Sequence, residues 1–112
     1  MHEMAIARRL VTEALERRED DDERVTDVEV VLGGARLSPE SVRLHFEAAA
    51  RDTPADGADV HIVVEPSRYW CFDCMFEFSS RLHGGGTCPR CGGGVISLDR
   101  EELAYVRAVG VG

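Results

Sequence analysis

Two cysteine pairs with the same spacing, Cys71-Phe72-Asp73-Cys74 and Cys88-Pro89-Arg90-Cys91, restrict the structure of this chain more than any other feature. A CxxC turn places two thiolates on one metal ion, while nearby backbone amides hydrogen-bond the sulfurs. Two such turns, here thirteen residues apart, form a closed tetrahedral site with Zn–S bonds of about 2.3 Å. The spacing therefore predicts a structural zinc site, in a segment too small to fold without its metal.

Other uses of these cysteines fit less well. Disulfides are typical of secreted chains, but "MHEMAIARRL" has no basic segment followed by an apolar stretch, so we predict no signal peptide and a cytoplasmic location. A redox dithiol normally lies at a strand-to-helix junction, whereas "YWCFDCMF" is not followed by a helical pattern. Four cysteine ligands leave no open position for catalysis. An iron-binding or redox protein remains the alternative at this site.

Composition narrows the class of protein. The 112 residues are 44% hydrophobic and 30% charged, which is typical of one soluble domain or of a small domain carrying a smaller one. The formal net charge is −8, whereas nucleic-acid binding draws most of its affinity from basic groups, so we predict no nucleic-acid partner. The apolar runs are too short to span a membrane, so we predict no membrane partner.

Regular patterns flank the cysteine-rich piece. Apolar residues at three- and four-residue spacing predict an amphipathic helix that begins almost at the first residue and ends in "ERREDDDER", which we interpret as a solvated turn. Ser38 and Pro39 are typical of the N-cap and first position of a second helix. We assign to the buried side of this helix Val42, Leu44, Phe46, Ala48 and Ala49.

Three segments predict strands. "VTDVEVVLGG" and "ADVHIVVEP" alternate with period two, and "ELAYVRAVGV" is apolar on both faces, so we expect the third strand at the centre of the sheet. The composition changes at Pro66, and all four cysteines follow before about Leu98. We therefore predict an α+β protein: residues 1–66 plus 99–112 form an α/β domain, and residues 67–98 form an inserted, zinc-ribbon-like domain. Its aromatic residues are expected to pack around the zinc, with a partner-binding face as the alternative.

The second residue raises a separate question. Methionine trimming needs a small second residue and His2 is large, so Met1 is expected to stay, with its amine beside the His2 imidazole. In the first turn of a helix, N–H groups have no intrahelical partner, so the His2 amide can be deprotonated and bind a metal without breaking a hydrogen bond of the helix. Amine, amide and imidazole favour square-planar Ni(II) or Cu(II) and leave one in-plane position open. Glu3 is then a candidate ligand or orienting group. Taken alone, a histidine at position 2 is more often an ordinary exposed residue.

The sequence gives less support for a metal-binding role of the other three histidines. His45 lies within the predicted second helix and His61 on the predicted second strand, and we interpret both as surface or packing residues. His83, in "RLHGGG", lies between the two cysteine pairs, where transient contact with nickel is a minor alternative.

Four stretches in the right order, "MHEMAIARRLV", "VTDVEVVLGGARLSPESVRLHFEAA", "CFDC…CPRCGG" and "DREELAYVRAVGV", resemble the hydrogenase maturation factors of the HypA/HybF family over nearly the whole chain. The resemblance implies a nickel metallochaperone with two helices packed on a small mixed three-stranded sheet and a zinc domain inserted before the last strand. It implies nickel binding by His2, Met1 and Glu3, and zinc binding by Cys71, Cys74, Cys88 and Cys91. Two departures from the family pattern are a condensed turn before the second helix and Met75, which replaces the Gly usual after the first pair.

The resemblance also sets expectations about cargo and partners. Ni(II) is transient cargo and Zn(II) is structural, and the protein is not an enzyme. Delivery would go to a HypB-type GTPase or the precursor of a [NiFe]-hydrogenase large subunit, with urease as a further client, and we expect a monomer or weak homodimer. The competing hypothesis is a zinc-ribbon adaptor in transcription or translation without nickel binding. That adaptor would need a basic groove, which the net charge of −8 disfavours.

Overall fold

The computed structural model describes residues 2–33, 37–81, 87–99 and 103–112, with only the backbone described at His2. This part of the chain contains two helices and six strands. In chain order they are α1 (His2–Glu16), β1 (Val25–Gly33), α2 (Pro39–Ala50), β2 (Asp59–Val64), β3 (Ser67–Cys71), β4 (Phe76–Ser80), β5 (Ile96–Ser97) and β6 (Leu103–Val111). The strands form two separate sheets with the orders β2-β1-β6 and β4-β3-β5.

The first sheet is mixed, which confirms the predicted α+β class. β1 runs parallel to β2 and antiparallel to β6, so that Val30 lies between Ile62 and Val106. The predicted central position of the last strand is wrong, because β1 occupies the centre and β6 is an edge strand. β1 buries the successive residues Val30, Val31 and Leu32, whereas β6 leaves Leu103 46% exposed.

Both helices contribute to the hydrophobic core that covers this sheet. The core contains Leu10, Val11 and Ala14 from α1 together with the buried residues of α2 and β1. Arg9 donates from Nη2 to the backbone carbonyl of Ala104 at 2.6 Å, which ties α1 to β6. α1 also packs against α2, and the first turn of α1 contacts that helix.

Helix α2 begins as predicted, but its buried side differs from the prediction. The Ser38 hydroxyl caps the helix by accepting from the Ser41 N–H at 3.4 Å, and a proline occupies the first turn. The buried positions are Val42, Phe46 and Ala50, which follow helical spacing. Leu44 and Ala48, assigned to the core from the sequence, are exposed, Leu44 to 66%, because residues two apart point to different faces of a helix.

This orientation predicts unequal effects for two large-to-small substitutions on α2. Phe46→Ala should destabilise the protein by about 3–5 kcal/mol because it opens a cavity in the core. Leu44→Ala should change the stability by no more than about 0.5 kcal/mol because the side chain faces solvent. Urea unfolding followed by the helical circular dichroism signal measures both. Equal losses in the two variants would show that α2 is turned differently.

The second sheet lies in a region where the sequence showed little regular pattern. β3 pairs antiparallel with β4 and with β5, placing Tyr69 opposite Phe78 and Trp70 opposite Ile96. These strands are short, and β5 has only two residues, so their periodicity was too brief to detect. All three lie within the predicted insertion at residues 67–98, and β6 then returns to the first sheet. The division into two domains remains a prediction.

Candidate metal centres

The four cysteine sulfurs form a compact cluster. Their Sγ atoms all lie within 4.8 Å of one another, and all four cysteines are free. The Sγ atoms are 3.6 Å apart between Cys71 and Cys91 and 3.8 Å apart between Cys74 and Cys88. Tetrahedral coordination with Zn–S bonds of about 2.3 Å places neighbouring sulfurs about 3.8 Å apart. The residues therefore fit a zinc ion, as the spacing of the two pairs predicted.

Both CxxC turns close in the same way. The N–H of Met75 donates to the carbonyl of Cys71 at 2.8 Å, and the N–H of Gly92 donates to the carbonyl of Cys88 at 2.9 Å. The residue after each pair has a left-handed conformation, with φ of 56° at Met75 and 73° at Gly92. A side chain in this conformation costs about 1–2 kcal/mol relative to glycine. The first turn therefore carries this strain at Met75, and the second turn avoids it by having Gly92 at the same place.

The thiols differ in their affinity for protons. Hydrogen bonding to Cys91, burial and the other cysteines raise the pKa of Cys74 to about 12. Burial also acts to raise the pKa of Cys88, but hydrogen bonds from the backbone N–H groups of Cys91 and Arg90 help to lower it to about 7. The N–H of Gly93 and the bond with Cys74 act to lower the pKa of Cys91, yet bonds with Cys71 and Cys88 and burial raise it overall. Since zinc binds thiolates, its binding must expel protons from Cys74 and Cys91, and falling pH weakens it.

Aromatic side chains pack beside the cluster. The rings of Tyr69 and Phe78 stack with centroids 5.8 Å apart, and Phe76 lies 5.6 Å from Phe78. The Arg90 guanidinium lies over the ring of Phe76, 4.2 Å from its centroid. These contacts favour the packing interpretation of the aromatic residues. Phe72 remains 63% exposed, although its ring meets that of Trp70 edge-on with centroids 6.4 Å apart.

At the N-terminus, Met1 and the His2 side chain lie outside the described residues, but the position of Glu3 is described. α1 begins at His2, and the Glu3 carboxylate accepts a hydrogen bond from the Ser41 hydroxyl of α2. Its Oε2 also lies 3.9 Å from Nδ1 of His45. The structure thus joins Glu3 to two residues of α2 that the sequence did not connect with it.

The sequence did not indicate that His45 lies beside Glu3. The four-residue spacing from Ser41 puts both on one helical face, but the sequence does not show that this face meets the start of α1. His61 is exposed on β2, opposite Glu29, and agrees with its predicted surface role. His83 lies outside the described residues.

Comparisons with known proteins bear on this arrangement. The family described as "Hydrogenase/urease nickel incorporation, metallochaperone, hypA" matches residues 1–110. The chain belongs to the HypA family. Among its relatives, the hydrogenase maturation factor HybF of Escherichia coli is 33% identical over 99% of both chains. HybF of Morganella morganii is 36% identical over 97% of both, and the maturation factor HypA of Xanthobacter autotrophicus is 35% identical over 83% of both.

A solved structure supports the fold. The solution structure of the Ni metallochaperone HypA from Helicobacter pylori aligns with a TM-score of 0.57 and 20% sequence identity, covering 96% of this chain and 94% of that one. The HypA family is one of metallochaperones rather than enzymes. None of the helices in the described part of the chain combines the length and apolar character that crossing a bilayer requires.

The strained first turn leads to a prediction about zinc affinity. Met75→Gly removes the left-handed strain, and the added freedom of glycine in the unfolded chain offsets part of this gain, so zinc binding should tighten about two- to fivefold. Met75→Ala is the matched control, because it also removes the 69% exposed side chain but keeps a Cβ. Competition with a chromophoric chelator measures both. Tighter binding by the alanine variant alone would contradict the strain argument.

Metal removal should unfold one part of the chain and leave the other part folded. Chelation of zinc is expected to unfold the second sheet, which the indole of Trp70 on β3 reports by fluorescence. The helical circular dichroism signal should persist, because α1 and α2 pack on the first sheet. Readdition of zinc, and not of magnesium, should restore the fluorescence. Loss of both signals at the same chelator concentration would mean that the chain is a single cooperative unit.

Proposed function

We propose that this chain is a nickel metallochaperone that binds Ni(II) at its N-terminus and delivers it during maturation of a [NiFe]-hydrogenase, with urease as a further client. The observation that carries the proposal is the match of the HypA family from the first residue to residue 110, which includes both the Met-His-Glu start and the cysteine pairs. The protein acts as a carrier, not as an enzyme, in the cytoplasm.

The start of α1 supplies a suitable donor set for nickel. The helix begins at His2, so the amides of its first turn have no intrahelical acceptor and are free to serve a metal. The amine of Met1, the amide of His2 and its imidazole together form a nitrogen-rich site of the kind that Ni(II) accepts in a square plane. Glu3 is the next residue in the chain, and it serves as a ligand or orients the other donors.

The cysteine cluster has a different role in the proposal. Cys71, Cys74, Cys88 and Cys91 hold a structural Zn(II) that folds the segment around them. Four thiolates surround that ion completely, so it is not the cargo. The nickel site, by contrast, is built from the end of the chain, and few protein groups enclose the ion. Ligand exchange at an open edge is then the mechanism of delivery.

The partners follow from family membership in hydrogenase maturation. A HypB-type GTPase and the precursor of the hydrogenase large subunit are the proposed acceptors of the nickel ion, and the carrier is a monomer or weak homodimer. The formal charge of −8 fits transient contact with proteins better than with nucleic acid.

Nickel uptake by zinc-loaded protein with its native N-terminus tests the proposal. Equilibrium dialysis with elemental analysis should find about one Ni(II) per wild-type chain, because the N-terminal donors form one site. His2→Ala should lose the nickel and keep its zinc, since the zinc ligands are untouched. His61→Ala, which removes an exposed imidazole on β2, should behave as the wild type. If wild type and His2→Ala take up nickel alike, or neither does, the zinc-ribbon adaptor becomes the better explanation of the fold.

A further inference from the structure

Three side chains link the first turn of α1 to α2, and their chemistry sets the direction of each hydrogen bond. An ionised carboxylate can only accept, so the Ser41 hydroxyl donates to Oε2 of Glu3. A backbone carbonyl also can only accept, and that of Ser41 lies 2.7 Å from Nδ1 of His45. Nδ1 therefore carries a proton and donates it to this carbonyl, with the Ser41 hydroxyl oxygen as a second neighbour at 3.3 Å.

These bonds determine which nitrogen of His45 is free to bind a metal. A neutral imidazole has one N–H and one lone pair, so protonation at Nδ1 leaves the lone pair on Nε2. Histidines that bind metals usually donate their other ring nitrogen to a carbonyl or carboxylate, which fixes the ring and raises its basicity. His45 already has this arrangement, made by residues of its own helix.

The position of His45 is both fixed and accessible. Val42 and Phe46 of the same helix are fully buried in the core, so they hold the turn of α2 that carries His45. The side chains of His45 and Glu3 are 26% and 30% exposed, which leaves an open edge for an ion. Glu3 follows His2 directly, and its carboxylate lies 3.9 Å from Nδ1 of His45. The imidazole of α2 thus lies beside Glu3 in the first turn of α1.

We propose that Nε2 of His45 is a further nickel ligand, which takes the position that the N-terminal donors of Met1 and His2 leave open. This inference rests on the proposed function, and it deepens it by naming a second element of the fold at the nickel site. Glu3 then acts as an orienting group rather than as a ligand. Its carboxylate holds Ser41 of α2, and with it the helix that carries the imidazole, against the start of α1.

Ligand chemistry favours the imidazole over the nearby carboxylate. Imidazole suits Ni(II), whereas carboxylates suit harder ions such as Mg(II), Ca(II) and Mn(II). The Glu3 oxygen is also already engaged by the Ser41 hydroxyl, and binding nickel directly would compete with that bond. Binding through Nε2 of His45 leaves every hydrogen bond of the Glu3–Ser41–His45 group in place.

The test is nickel binding by the full-length, zinc-loaded protein with its native N-terminus, using His45→Ala and His45→Gln. His61→Ala is the matched control, because it removes an imidazole from the exposed face of β2. Even an orienting partner of a metal ligand is worth about 10- to 100-fold in affinity, so loss of the ligand itself should weaken nickel binding at least about tenfold. X-ray absorption at the nickel edge should show one imidazole fewer in both His45 variants, while the control keeps the wild-type spectrum and affinity.

The outcomes separate this inference from the proposed function. Zinc content and helical circular dichroism show whether each variant is folded, and glutamine retains a polar side chain should alanine disturb α2. If His2→Ala loses nickel while both His45 variants keep the wild-type affinity and imidazole count, His45 is not a ligand and the carrier function stands. Weaker binding with an unchanged imidazole count would also overturn the inference, because His45 would then act without contacting the ion. Wild-type nickel binding by His2→Ala would overturn both.

Discussion

The pairing of β1 with two different neighbours is the interaction on which the rest of the molecule depends. β1 pairs in parallel with β2 on one side and antiparallel with β6 on the other, and the helices cover its buried residues. Since β2 and β6 lie on opposite sides of β1, the connection between them must leave one edge of the sheet and return at the other. The second sheet is contained in that connection. The strands of the second sheet therefore pair only with one another and not with those of the first sheet.

Because the second sheet does not pair with the first, it needs its own source of stability. β3, β4 and β5 are short, and in the described part of this segment the ring contacts of Phe78 with Tyr69 and Phe76 supply apolar packing. Such a small unit buries too little apolar surface to offset its loss of chain entropy, and metal–sulfur bonds are the usual substitute. The two turns that hold the sulfurs each need a left-handed residue. Met75 is tolerated in one of them because the strain is small beside the free energy of metal binding.

Features set by local chemistry could be predicted from the sequence, whereas features set by packing could not. The cysteine cluster, the Ser38 cap and the start of α1 each depend on neighbouring residues, and the structure has all three. The central position of β1 and the exposure of Leu44 depend on which elements pack together. An apolar residue on an edge strand or on the outer face of a helix has the same sequence pattern as a buried one.

The association of His45 with Glu3 was beyond prediction for the same reason. The two residues are far apart in the sequence, and their contact depends on how α1 crosses α2. The nickel hypothesis for His2 and Glu3 came from their place at the start of the chain together with the resemblance to the HypA/HybF family. The sequence could not reveal which part of the folded chain would lie beside them.

In the proposed function, one site selects zinc and the other selects nickel through coordination geometry rather than through raw affinity. Divalent ions of this series follow nearly the same order of affinity at most donor sets, with Cu(II) the tightest, so proteins select among them through ligand softness and coordination shape. Four thiolates at tetrahedral spacing suit zinc and enclose it. Nitrogen donors at the start of a helix suit a planar ion and leave its faces open. A carrier needs this combination, because the ion that supports the fold must stay while the cargo must leave. Placing the second site where a helix begins also allows nickel to depart without breaking any hydrogen bond of the helix ladder.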